Sequence, residues 1–271
     1  MGNLTSAVLA LFAVLFSALV FAEGDKLTAE NRLTAEQIVE QSNLASVYAG
    51  NDGRAEARML IVDKQGRKQF RQFTLLKRNL KKGGDQQYLV VFSRPADVNR
   101  TTFLVDKHPG KDDDRWLYLP GLDLVKRISA GDKRTSFVGS NFFYEDISGR
   151  HIEDDTFELL EDNVHHWIIK ATPKSSQGVE FAWYQVEISK HSFLPIKAEY
   201  FNGQGKMYRR MTASKVVNVQ GIPTISEMKA EDLDAKSYSL LQMRNIQYDL
   251  GMGAEVFTER SLRMPPRQWL K

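Results

Sequence analysis

From Arg54 to Ile61 every second residue is apolar: Ala55, Ala57, Met59 and Ile61 alternate with Arg54, Glu56, Arg58 and Leu60. A period of two belongs to a strand with one wet face and one face against a core, and its recurrence along the chain constrains the fold more than any other feature. The turn signal Asn51-Asp52-Gly53 precedes this first strand. Asp63-Lys64-Gln65-Gly66 then leads into a second over 68–77, and Lys82-Gly83-Gly84 into a third over 87–92. Further strands are expected over 115–119, 167–171, 181–189, 196–201, 208–217, 224–230 and 240–248, with Asn202-Gly203-Gln204-Gly205 as a hairpin loop. About ten strands joined mostly by short turns have the spacing of an all-β barrel or sandwich.

Two segments break the pattern. Residues 33–41 read as an N-terminal helix, with Thr34 as N-cap, Gln37 as its capping-box partner and Ile38 and Val39 on one face, placed to pack across the sheet. Residues 120–149 mix Gly, Ser, aromatic and acidic side chains without sustained alternation, which predicts an irregular or short-helical insertion over a cavity mouth.

The N-terminus reads as a secretory signal over residues 1–22: an apolar run from Ala7 to Phe21, with Val20 and Ala22 at the −3 and −1 positions of a cleavage site. The run is about 15 residues, short of the roughly 20 needed to span a bilayer. Its n-region lacks Lys and Arg, so an uncleaved N-terminal anchor is the alternative. The chain has no Cys, which excludes a lipobox with its diacylglyceryl anchor, disulfides, Cys-ligated zinc and thiol catalysis. With no Pro/Ser-rich linker and no internal repeat, residues 23–271 are expected to form a single domain. A net charge of +3 is too small to point to nucleic acid.

The residues also narrow the chemistry. His165 and His166 are adjacent, and His108, His151 and His191 are scattered without metal-ligand spacing. Asp112, Asp113 and Asp114 lack the alternation and distal Glu of an EF-hand loop and read as a solvated turn after Pro109-Gly110. There is no Gly-x-Ser-x-Gly elbow, P-loop or dinucleotide fingerprint. Neither a cofactor, a metal nor an enzymatic activity is therefore expected.

The central third carries a more specific pattern. It runs Trp116-Leu117-Tyr118-Leu119-Pro120, then Lys126-Arg127-Ile128, then Ser136-Phe137-Val138-Gly139-Ser140-Asn141-Phe142 and Tyr144-Glu145-Asp146. This resembles the signature of the outer-membrane lipoprotein-sorting proteins, a LolA-like family related in fold to LolA, LolB and RseB. Here Val138 stands for the family's Met and Asn141 for its Asp. The resemblance implies a mainly β fold: a strongly curved antiparallel sheet, an unclosed half-barrel, with a helical and loop lid over an apolar cavity. It further implies a periplasmic carrier of lipid or lipoprotein acyl chains, a monomer, with an inner-membrane transporter of the RND/MMPL type as a possible partner. A lipid-sensing regulatory module like RseB is the rival reading.

On that reading the candidate cavity residues are Met59, Trp116, Tyr118, Phe137, Phe142, Phe143 and Met211. Met207, Met228 and Met243 also fall in expected strands, where Met suits a site of variable shape. Trp116 and Tyr118 share one face of a strand and belong either to the cavity or to ordinary sheet core. Lys126, Arg127 and Arg134 could meet a lipid phosphate or an acidic membrane partner, or form a solvated loop face. Glu145 and Asp146 could pair with those bases and hold the lid shut.

Overall fold

The computed structural model describes residues 32–270; the expected signal peptide lies outside them. Helix α1 spans Ala35–Ser46 and starts where the sequence places it. Gln37 N donates to Thr34 Oγ1 at 3.2 Å and Thr34 N donates to Gln37 Oε1 at 2.9 Å, closing the capping box. Its buried residues Ala35, Ile38 and Val39 pack on Ile169 and Ile188.

Thirteen strands follow among the described residues. They are β1 Asp52–Val62, β2 Lys68–Asn79, β3 Gln86–Arg94, β4 Thr102–Lys107, β5 Asp114–Leu119, β6 Leu124–Arg127, β7 Asp155–Asp162, β8 His166–Pro173, β9 Trp183–Ser189, β10 Pro195–Phe201, β11 Met207–Val219, β12 Ile222–Asp232 and β13 Ser237–Tyr248. All belong to one antiparallel sheet in the order β6-β5-β4-β3-β2-β1-β13-β12-β11-β10-β9-β8-β7. The chain enters at the centre, meanders out to β6, crosses to the far edge at β7 and meanders back until β13 pairs with β1, from Gly53 opposite Tyr248 to Val62 opposite Tyr238.

Three strands lie outside the ten expected from the alternation. In β4, Thr102 to Val105 are all buried, a continuous run that lacks the period-two signal. Strand β6 is four residues long and sits inside the segment expected to be irregular. Strand β7 is mostly exposed, with Glu158, Glu161 and Asp162 along it, charges that protect a free edge from pairing with other chains.

The two edges approach each other without pairing. In a flat sheet β6 and β7 would stand about 58 Å apart, twelve spacings of ~4.8 Å. Yet Lys133, six residues after β6 ends, pairs with Asp154, which adjoins β7, at 3.6 Å. Six residues reach at most ~20 Å, so the sheet must curl strongly, helped by register shifts in β1, β2, β7, β10 and β11 that bend the strands.

The connection between β6 and β7 is the lid. It contains helix α2, Tyr144–Ser148, and a bridge between Ser136 and Phe143. Phe137 enters the sheet's inner face and packs against Phe73, Phe92, Phe103 and Tyr144, with ring centroids 5.4–6.4 Å apart. The outer face of β2–β5 has its own cover. Met252, Val256, Phe257 and Leu262, the last in helix α3 (Glu259–Arg263), pack on Leu76, Leu89, Leu104 and Tyr118.

Candidate functional site: a half-open cavity under the lid

The lid fills only one half of the sheet's inner face. Over β1–β5 its aromatic plug leaves a tightly packed core, whereas over β9–β13 the inward residues Met211, Met228, Leu241 and Met243 are only partly covered. Between them lies a half-open cavity of about 420 Å³, within the range of about 300–1,000 Å³ usual for small-molecule sites. Its walls are Ala55, Leu75, Val186, Ile196, Tyr200, Met211, Met228, Met243 and Ile246; its roof is the end of α1, Phe142 and Ile147. Unbranched Met side chains on three adjacent strands let this wall adjust to a chain of variable shape.

Charged groups fasten the roof. Glu145 in α2 accepts from Arg134 Nη1 at 2.8 Å and Arg150 Nη1 at 3.3 Å, and Lys133 Nζ lies 3.3 Å away. Arg134 also donates twice to Glu180 at 2.7 Å, and Arg150 twice to Asp155 at 2.9 and 2.8 Å. Burial alone would raise the Glu145 pKa, but the charges of Arg134, Arg150 and Lys133 outweigh it and hold the carboxyl down at about 2. Asp146 pairs with Arg209 of β11, and the Arg134 and Arg209 guanidiniums both lie over the Phe143 ring, 5.0 and 4.2 Å from its centroid. Asn141 ties the lid to β13: its Nδ2 donates to Ser237 Oγ at 2.8 Å and its Oδ1 accepts from Ser239 Oγ at 2.9 Å. An Asp there could keep both contacts, because the Ser237 hydroxyl can donate instead of accept.

Of the candidate residues, Phe142 and Met211 line this cavity, as do Arg134, Glu145 and Asp146 at its roof. Met59 and Phe137 are fully buried in the adjoining core, and Phe143 is in contact with two arginines. Trp116 and Tyr118 lie on the other face of the sheet, under the C-terminal segment. That region is buried on both faces, so period-two spacing shows that the two rings share a side but not which side. Of the three bases, only Arg134 joins the lid network with Glu145. Arg127 pairs with Asp114 on the β5–β6 edge, and Lys126 is exposed. Asp113 is not in a solvated turn: its carboxylate is buried against Arg115 and accepts from His151 Nε2 at 2.7 Å if that nitrogen carries the proton. Burial works against ionisation there, but His151 and Arg115 prevail and lower its pKa.

Sequence reasoning missed Lys77, Arg150, Tyr184, Tyr200 and Arg209. For Lys77 the signal was present, since it follows Phe73 and Leu75 at period two and so points to the lid side. For Tyr184, Tyr200 and Arg209 it was absent, because their partners come from distant segments; Arg150 pairs locally, with Glu145 and Asp155 five residues to either side, but in a stretch without a periodic pattern.

A larger hollow, of about 1,420 Å³, lies on the outer face between the sheet and residues 255–270. Arg58, Arg100, Arg244, Arg260 and Arg267 line it against only Glu56 and Glu255, which gives it an excess of positive charge suited to an anionic surface. The lid-covered cavity is the more apolar of the two.

A family model described as that of an uncharacterized protein matches residues 84–264. No curated protein matches the chain. Among solved structures, a DUF1329 family protein from Desulfovibrio piger is 29% identical, with a TM-score of 0.76 over 83% of this chain and 97% of its own. A protein from Vibrio parahaemolyticus described as an outer membrane lipoprotein-sorting protein domain is 25% identical, with a TM-score of 0.77 over 84% of this chain and 98% of its own. A LolA superfamily protein from Nitrosomonas europaea, at 16% identity, shares the fold with a TM-score of 0.66 over 84% of this chain and 99% of its own. The chain belongs to the family that this model describes, and its fold is that of the LolA-like outer-membrane lipoprotein-sorting proteins.

Proposed function

We propose that this protein is a periplasmic carrier that shelters acyl chains of a lipid or lipoprotein on their way between membranes. The observation that carries this reading is the apolar cavity kept half open beneath an ion-paired lid. Each methylene kept from water in such a site is worth about 0.8 kcal/mol, so a dozen are worth roughly 10 kcal/mol, which offsets the similar cost of drawing a tail out of a bilayer without covalent chemistry. The lipoprotein-sorting description of the Vibrio parahaemolyticus relative supports the same reading. So does the chemistry of the roof, where Glu145 and Asp146 are each bound to arginines and neither is placed as a free acid or base.

In this account residues 1–22 are removed on export and residues 23–271 act as one monomeric domain. An inner-membrane transporter of the RND type is the proposed partner, and the arginine-lined outer groove offers it a positive surface. Native mass spectrometry of the purified protein should show a lipid adduct that disappears on delipidation. The delipidated protein should then move acyl-chain lipid from donor to acceptor vesicles. Retention without transfer would favour the sensor, and no adduct under any lipid supply would remove both readings.

A further inference from the structure

Five cationic residues line the cavity, Arg54, Lys77, Arg134, Arg150 and Lys197, although the Arg54 guanidinium reaches the outer cover, where it donates to Trp269 O at 2.8 Å. Four of them have carboxylate partners in the chain. Arg54 meets Glu56 at 2.9 Å, Arg134 meets Glu145 and Glu180, Arg150 meets Asp155 and Glu145, and Lys197 meets Glu187 at 2.9 Å. Lys77 differs. It projects from the lid side of β2 and is buried, yet among the described residues no carboxylate lies within 4.0 Å of its Nζ.

Its one hydrogen bond goes to the carbonyl of Val47 at 3.0 Å, and the Tyr248 ring lies 5.7 Å away. An ammonium carries three donors, so Lys77 holds donors in reserve. Nor does the end of α1 depend on it, since Gln86 Nε2 also donates to Val47 O, at 3.1 Å. Burial, against the pull of Asp249 and Asp52, lowers its pKa to about 8, so it is mostly charged at neutral pH. A buried charge without a carboxylate in contact costs stability, and an ionisable side chain perturbed by burial on a cavity wall is a candidate functional group. The neighbouring wall residues Ala55, Leu75 and Met243 are apolar, so an anion at Lys77 would have a hydrocarbon path leading from it.

Resting on the cavity reading above, we propose that the site selects a single-tailed amphiphile with an anionic head, and that Lys77 binds the carboxylate or phosphate oxygens of that head. The chain's own carboxylates already neutralise the other four cations, so among the described residues Lys77 alone on this wall is left to read charge. A cavity of about 420 Å³ sits near the lower end of ligand-site volumes and suits one tail.

The test is binding of hexadecanoate, hexadecyl phosphate and hexadecanol to the delipidated protein at pH 7, with Lys77→Met and Lys77→Arg beside the wild type. The wild type should bind at least one anion about ten- to hundredfold tighter than the alcohol, as a charge-assisted hydrogen bond provides. Lys77→Met should lose that preference and keep its affinity for hexadecanol, whereas Lys77→Arg should retain most of it. Whichever anion binds tighter identifies the head group. Equal binding of alcohol and anions by the wild type, or an undiminished preference in a folded Lys77→Met, would overturn the assignment while leaving the cavity reading in place. Failure of all three ligands to bind would remove both.

Discussion

Glu145 concentrates the lid's electrostatics in one side chain, because Arg134, Arg150 and Lys133 all converge on its carboxylate. With a folded-state pKa of about 2 against roughly 4.3 in an unfolded chain, it contributes stability in full above about pH 4.3. That contribution is lost as the pH falls through about 2. Glu145→Gln should cost about 3 kcal/mol near neutral pH, since it leaves buried arginine charge under-compensated. It should also flatten the acid limb of a stability profile followed by urea denaturation, and an unchanged limb would show that the lid is held by other contacts. Part of this was legible: the bases and acids of the central signature were expected to meet, and Arg134 does meet Glu145. The pairings of Asp146 with Arg209 and of Asp113 with His151 were not legible, because they join residues 63 and 38 apart in sequence. No local pattern encodes such pairs.

At the scale of elements, α1 was readable to its cap because a capping box is local chemistry between Thr34 and Gln37. The long strands were readable because their alternation repeats. Strand β4 was not, since burial on both faces erases the period, and the same double burial hid which side Trp116 and Tyr118 take. One inserted ring supplies the centre of the lid's apolar hold on the sheet. Phe137 touches Phe73, Phe92, Phe103 and Tyr144, and Phe137→Ala should cost about 3–5 kcal/mol through lost transfer energy and the hollow left behind. Chemical denaturation measures this directly, and a loss below about 1 kcal/mol would mean that the lid does not depend on its aromatic plug.

Across the whole molecule, the sheet curls until its two free edges face each other across the lid, and the cavity is the part of the inner face that the lid leaves unfilled. Alternation specifies that one face is apolar, but the depth of the curl comes from register shifts and from pairs such as Lys133 with Asp154, which sequence spacing does not reveal. The central claim is that a hydrocarbon chain occupies this space. The direct measurement is equilibrium binding of a fluorescent sixteen-carbon probe to the wild type and to Ala198→Trp, which places an indole on the cavity wall between β9 and β11. Because the added ring enters free volume, the variant should stay within about 1 kcal/mol of wild-type stability and bind the probe at least tenfold more weakly. A folded Ala198→Trp that binds the probe as tightly as the wild type would contradict the account.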